Sequence, residues 1–128
     1  MKTRIGAAAA LALFAALSCF SDRTSIIEPD GADCTIPASA FGRNRAVVII
    51  RDFTFFSDTV RIRAGGTVTW VNCEDPGVPD HTSTSTSDVW DSPDLPPGSS
   101  FPHTFDSTGT FPYFCRPHTF MRGVVIVQ

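Results

Sequence analysis

Residues 111–123, FPYFCRPHTFMRG, place three soft donor side chains within seven positions: Cys115, His118 and Met121, in the spacing C-x2-H-x2-M. A thiolate, an imidazole and a thioether suit copper better than magnesium, calcium or manganese, which prefer oxygen. One Cys near one His is usually coincidence, and a lone Met usually belongs to a core. Three soft donors in one short loop are harder to read that way, because Gly123 and the strand-like run VVIV (124–127) follow at once. Zinc also takes Cys and His, but a thioether argues against it.

Two imidazoles, one thiolate and a weak axial thioether make a blue-copper site, so a second imidazole is needed. His81, just after the strand-like run TVTWVN (67–72), is the candidate. His103 is the rival. In SFPHTF (100–105) it shares the parity of Phe101 and Phe105, which turns it inward on a regular strand. Pro102 beside it marks a bulge or a sheet edge instead.

The segment FDSTGTFPYFCRPHTFMRGVVIVQ (105–128) resembles the C-terminal copper loop of the plastocyanin, pseudoazurin and amicyanin group of cupredoxins. The two-residue gap between His118 and Met121 is shorter than in plastocyanin and similar to that of amicyanin. VRIRAGGTVTWVNCEDPGVPDHT (60–82) resembles the earlier family segment, a strand pair leading to the first ligand His. The resemblance covers about residues 45–128. It implies one type 1 copper ion held by His81, Cys115, His118 and Met121, in an all-β, antiparallel Greek-key β-sandwich. It implies that Cys115 binds as thiolate, that His118 is the ligand at the exposed edge, and that Met121 is a weak axial ligand favouring Cu(I). It implies one-electron shuttling rather than enzymatic turnover, with a c-type cytochrome or a membrane redox complex as partner. The chain departs from the family at Thr82, where Asn often braces the Cys loop.

The N-terminus reads as an export signal over residues 1–18. Lys2 and Arg4 precede an apolar stretch from Ile5 to Leu17, which is shorter than the roughly 20 residues of a membrane span. Ala-Leu-Ser-Cys (16–19) resembles a bacterial lipoprotein cleavage box, which would make Cys19 a lipidated first residue and a membrane tether. Simple cleavage after a small residue is the alternative. Residues 19–40, broken by Pro29, Gly31 and Pro37, read as a tether or an irregular first strand. With Cys19 lipidated and Cys115 on copper, Cys34 and Cys73 remain as a pair, and exported proteins commonly oxidise such pairs. A disulfide at Cys115 is the rival pairing, and it would leave no thiolate ligand.

Residues 41–128 read as one sandwich domain. AVVII (46–50) is a short buried strand. FTF (53–55) puts Phe53 and Phe55 on one face, and VRIR (60–63) puts Val60 and Ile62 inward with Arg61 and Arg63 outward. Trp70 and Trp90 read as core aromatics. TSTSTS (82–87) fits either a flexible insert or a solvated strand. No segment after the signal has a helical period.

Without Lys2 and Arg4, eight basic residues face thirteen acidic ones. This excludes an electrostatic case for nucleic acid and favours a basic partner, although acidic surfaces are also ordinary solubilisers; a monomer is expected. Asp75, Asp80, Asp91 and Asp94 lie in loops that could surround the metal end and steer such a partner. The chain has three His, too few for the additional coppers of nitrite reductases and oxidases. Copper delivery or storage is the alternative function. Such proteins usually offer open clusters of Met or Cys, which this chain lacks. The implied location is the periplasm or an extracytoplasmic membrane surface.

Overall fold

The computed structural model describes residues 34–128. The export segment, Cys19 and the start of the tether lie outside the described residues. Eight strands form two four-stranded sheets. The first holds β1 (Arg45–Arg51), β2 (Thr54–Phe56), β4 (Gly66–Asn72) and β6 (Ser100–Phe105), in the order β2-β1-β4-β6. The second holds β3 (Thr59–Ile62), β5 (Thr84–Ser85), β7 (Gly109–Phe114) and β8 (Arg122–Val127), in the order β3-β8-β7-β5. Among the described residues the one helical element is the three-residue 3-10 turn Ala38–Ala40.

The sandwich is the expected one, but its sheets are mixed. β1 runs parallel to β4 and β3 parallel to β8, while the remaining pairings are antiparallel. The chain leaves the first sheet after β2 and enters the second at β3, so β1 and β4 become neighbours without being consecutive. Local alternation cannot reveal such a pairing, because its partner lies twenty residues away. As a result β1 and β4 end together, and the loops after them open at the same end of the sandwich.

The core lies between the sheets. Val48, Ile50, Val68, Trp70 and Val125 are fully buried in one cluster with Phe55, Phe105 and Tyr113. Val60 and Ile62 point inward and Arg61 and Arg63 outward, as their alternation requires. Pro102 sits on β6, the edge strand of its sheet, where a missing N–H is tolerated. Gly123 faces Tyr113 across β7 and β8. Any side-chain carbon at 123 would collide with the phenol ring.

β4 is buried at every position. β-branched Thr67, Val68, Thr69 and Val71 suit a strand, and Val68 and Trp70 fill the core. The N-terminal segment helps to shield the strand, since the turn Ala38–Ala40 packs on β1 and β4. Cys34 is joined by a disulfide to Cys73, just past the end of β4, with the two Cα atoms 5.1 Å apart. The segment before β1 is thereby fastened to the strand-end loop that opens toward His81.

Closing a loop of 39 residues restricts the unfolded chain and stabilises the fold by roughly 2–4 kcal/mol. The double variant Cys34→Ser/Cys73→Ser should lose that much in a urea unfolding titration. A loss below about 0.5 kcal/mol would show that the N-terminal segment is held by packing alone.

Candidate metal centre

Three loops meet at the end where β1 and β4 terminate. The loop after β7 carries Cys115, His118 and Met121. It is a tight closed turn: His118 N–H donates to Cys115 O at 3.2 Å, Met121 N–H to His118 O at 2.9 Å, and Cys115 N–H to Met121 O at 3.2 Å. These bonds convert the C-x2-H-x2-M spacing into proximity. Cys115 and Met121 are buried in the core cluster, and His118 is half-buried.

The long connection after β4 brings His81, which is fully buried. His81 Nδ1 lies 3.6 Å from Cys115 Sγ, His118 Nδ1 lies 3.6 Å from the same sulfur, and the two nitrogens are 3.1 Å apart. A point equidistant from the three atoms lies about 2 Å from each, which is the length of a metal–nitrogen bond. Among the described residues this is the one group of three or more His, Cys, Asp or Glu side chains able to hold a metal. His103 is elsewhere. It stacks on Trp90 at 5.3 Å and meets Phe105 edge-on at 4.8 Å.

Glu74 sets the orientation of His81. Its carboxylate, nearly buried, accepts from His81 Nε2 at 3.1 Å. A carboxylate only accepts, so the ring proton is on Nε2 and the Nδ1 lone pair faces the sulfur. The same carboxylate accepts the N–H of Phe53 at 2.8 Å and of Asp52 at 3.0 Å. Both residues have left-handed backbones, with φ of 53° and 49°. That conformation is unfavourable away from glycine, and Glu74 holds it in place. Phe53 is therefore not paired with Phe55 on a strand face. It lies in the turn before β2, with its ring edge-on to His81 at 5.3 Å and to His118 at 5.0 Å. Sequence reading missed Glu74 and misplaced Phe53. The one available signal was an acid two residues past the strand-like run TVTWVN (67–72).

Thr82 takes up the bracing position. Its N–H points at Cys115 Sγ, 3.3 Å away, and its Oγ1 accepts from Arg116 N–H at 2.8 Å. TSTSTS is neither a flexible insert nor a solvated strand. Thr82, Ser83 and Ser85 are buried, with Thr84–Ser85 as strand β5 against β7. Ser83 N–H donates to Ser92 Oγ, and Trp90 Nε1–H donates to Ser83 Oγ, both at 2.9 Å. Of the four loop aspartates, Asp91 and Asp94 each lie 3.4 Å from the Arg116 guanidinium, so their charge is partly offset.

One buried thiol and two convergent imidazoles, with a buried thioether in the same loop, define a mononuclear soft-metal site at one end of a β-sandwich. Residues 44–128 match the family described as copper binding proteins, plastocyanin/azurin family, and the chain belongs to that family. It is 35% identical to amicyanin of Paracoccus versutus, over 99% of this chain and 97% of that protein. It is 35% identical to plastocyanin of Scenedesmus fuscus, over 58% of this chain and 86% of that protein. The crystal structure of the Paracoccus versutus amicyanin superposes with a TM-score of 0.59 at 33% identity, covering 73% of this chain and 85% of that one. Nitrogen and sulfur donors in this arrangement fit the family's metal, and the cofactor is one type 1 copper ion.

In the metal-free protein His81 is harder to protonate than the ordinary imidazole value of 6.5. Burial is the largest cause and the neighbouring His118 adds to it, while the hydrogen bond and charge of Glu74, and the charge of Asp80, oppose them. The unfolded chain therefore binds this proton more readily than the folded one. The stability contributed by neutral His81 is complete above about pH 6.5 and is lost as pH falls toward the lower folded value. The slope from this group is at most about 1.4 kcal/mol per pH unit. Urea titrations of the apoprotein from pH 8 to 5 should show that decline, reduced in His81→Gln. Equal slopes in both proteins would place the proton uptake elsewhere.

Proposed function

We propose that this chain is a one-electron carrier working outside the cytoplasm, with His81, Cys115, His118 and Met121 as its copper ligands. The observation that carries this reading is the convergence of two Nδ1 atoms and one Sγ within 3.6 Å of one another, just beneath an exposed apolar residue. Copper supplies a Cu(I)/Cu(II) couple at such a site. The chain's own residues limit how far the donors move. Glu74 fixes the His81 ring, Phe53 walls both imidazoles, and the hydrogen-bonded turn fixes Cys115 relative to His118 and Met121. Small rearrangement between the two oxidation states favours fast exchange.

Of the two imidazoles at the site His118 is the less buried, and Phe120 near it is 71% exposed. Pro117 and Pro79 are also exposed, and together these residues form an apolar rim. Such a rim lets a partner approach with little desolvation, and a small interface allows quick release. Asp75 and Asp80 are exposed in the adjoining loop and favour a basic partner such as a c-type cytochrome or the basic face of a membrane redox complex. Asp91 and Asp94 contribute less to steering, because Arg116 offsets them. An export signal over residues 1–18, a lipidated Cys19 with the tether 19–40, a monomeric domain over 41–128 and a periplasmic location complete the reading. Copper delivery or storage fits less well, because a receiving protein must reach the donors and Cys115 and His81 are fully buried.

Phe120→Asp should slow electron exchange with a soluble cytochrome c by on the order of tenfold while leaving the visible spectrum unchanged. Met121→Gln should keep copper and lower the reduction potential, because a harder oxygen donor favours Cu(II). Wild-type exchange in Phe120→Asp would mean that electrons leave by another face. An unchanged potential in Met121→Gln would remove Met121 from the ligand set.

A further inference from the structure

Arg116, the residue after Cys115, is tied to one neighbouring ribbon by both its backbone and its side chain. Its N–H donates to Thr82 Oγ1 at 2.8 Å. Thr82 Oγ1 lies 3.1 Å from Thr84 Oγ1, and the Thr84 hydroxyl donates to Asp91 Oδ1 at 2.8 Å. The same Oδ1 is 3.4 Å from Arg116 Nε. These contacts close a ring that begins and ends on Arg116. The guanidinium is held further by Ser92 O at 3.2 Å and Asp94 Oδ1 at 3.4 Å, both from Nη2.

The ring has one consistent direction. A carboxylate only accepts, so the single Thr84 proton is committed to Asp91. Thr84 Oγ1 then accepts from Thr82, and the Thr82 hydroxyl keeps its lone pairs for Arg116 N–H. A hydroxyl that donates to a charge-assisted chain is also the better acceptor. Thr82 is fully buried and follows His81, and its own N–H points at Cys115 Sγ. The ring therefore joins the segment carrying His81 to the segment carrying Cys115.

We propose that Thr84 and Asp91 are positioning residues for the metal centre: they orient the Thr82 hydroxyl and, with the Arg116 side chain, latch the Cys115 loop to the His81 segment. This rests on the ligand reading above. Neither residue touches the donor atoms, and Asp91 lies on the surface with its side chain 53% exposed. A carboxylate at the surface thus acts on a buried thiol through two hydroxyls and one backbone N–H.

The test uses the copper-loaded protein. Thr84→Val and Asp91→Ala should each speed copper loss to a chelator about three- to tenfold, the range expected for loosening one or two hydrogen bonds. Each should also alter the Cu(II) electron paramagnetic resonance spectrum. The double variant should be no worse than the stronger single one, because the two residues act in series. Thr84→Ser, which keeps the hydroxyl, should behave as wild type. Thr82→Asn offers an amide oxygen that accepts Arg116 N–H with no hydroxyl proton to orient, so Thr84→Val should have no effect in that background. Wild-type spectra and copper loss in both Thr84→Val and Asp91→Ala, or additive effects in the double variant, would overturn the latch. A wild-type protein lacking any thiolate charge-transfer band would instead overturn the ligand reading, so the two failures are distinguishable.

Discussion

Two imidazole nitrogens and a sulfur turned toward one buried point repel one another unless something outside the trio keeps them there. Here the restraint comes from groups that never touch that point. Glu74 accepts the Nε2 proton of His81 and the two N–H groups of the Asp52–Phe53 turn, so one carboxylate fixes both an imidazole and the ring that packs on it. The disulfide partner Cys73 immediately precedes Glu74, and its N–H donates to Ile50 O at 2.8 Å. The bridge to Cys34 therefore stabilises the same stretch of backbone that carries the carboxylate. The parallel pairing of β1 and β4 is the fold-level condition for this, because it ends both strands at the same level.

The division between buried and exposed parts follows from the same geometry. Cys115 and Met121 lie inside, in one cluster with Leu95, Trp90 and Phe55, and His81 is fully buried beside them. His118 alone of the proposed ligands is half-exposed, and it stands between the core and the Phe120 rim, 6.1 Å from the Phe120 ring. Burial shields the thiol from water and from competing ligands, while His118 leaves one imidazole near solvent. Arg116 adds a second division. By pairing with Asp91 and Asp94 it partly offsets their charge, while Asp75 and Asp80 are exposed in the loop before His81.

What the sequence revealed follows chain locality. Cys115, His118 and Met121 were legible because a turn closed by three backbone hydrogen bonds maps spacing directly onto proximity. Val60 and Ile62 were legible because alternation on a short strand is also local. Family resemblance and Pro102 on β6 favour His81 over His103, since strand parity alone argues for a buried His103. That residue is indeed packed, but against Trp90 rather than the thiol. The mixed sheets, Glu74 and the placement of Phe53 were not legible. The mixed sheets and the Glu74 contacts with Asp52 and Phe53 depend on partners more than twenty positions away, and nothing in a non-glycine residue announces a positive φ. TSTSTS misled for a related reason: small hydroxyl residues read as solvated until their partners, Ser92, Asp91, Trp90 and Arg116, are brought against them.

The central claim is that the folded chain presents one thiolate and two imidazoles to a single copper ion. Titration of Cu(II) into the apoprotein, followed by visible absorption, tests it most directly. The expected result is an intense band toward the red end, from thiolate-to-copper charge transfer, that saturates at one equivalent, is bleached by reduction and is missing in Cys115→Ser. A colourless copper complex, or a band that survives Cys115→Ser, would contradict it.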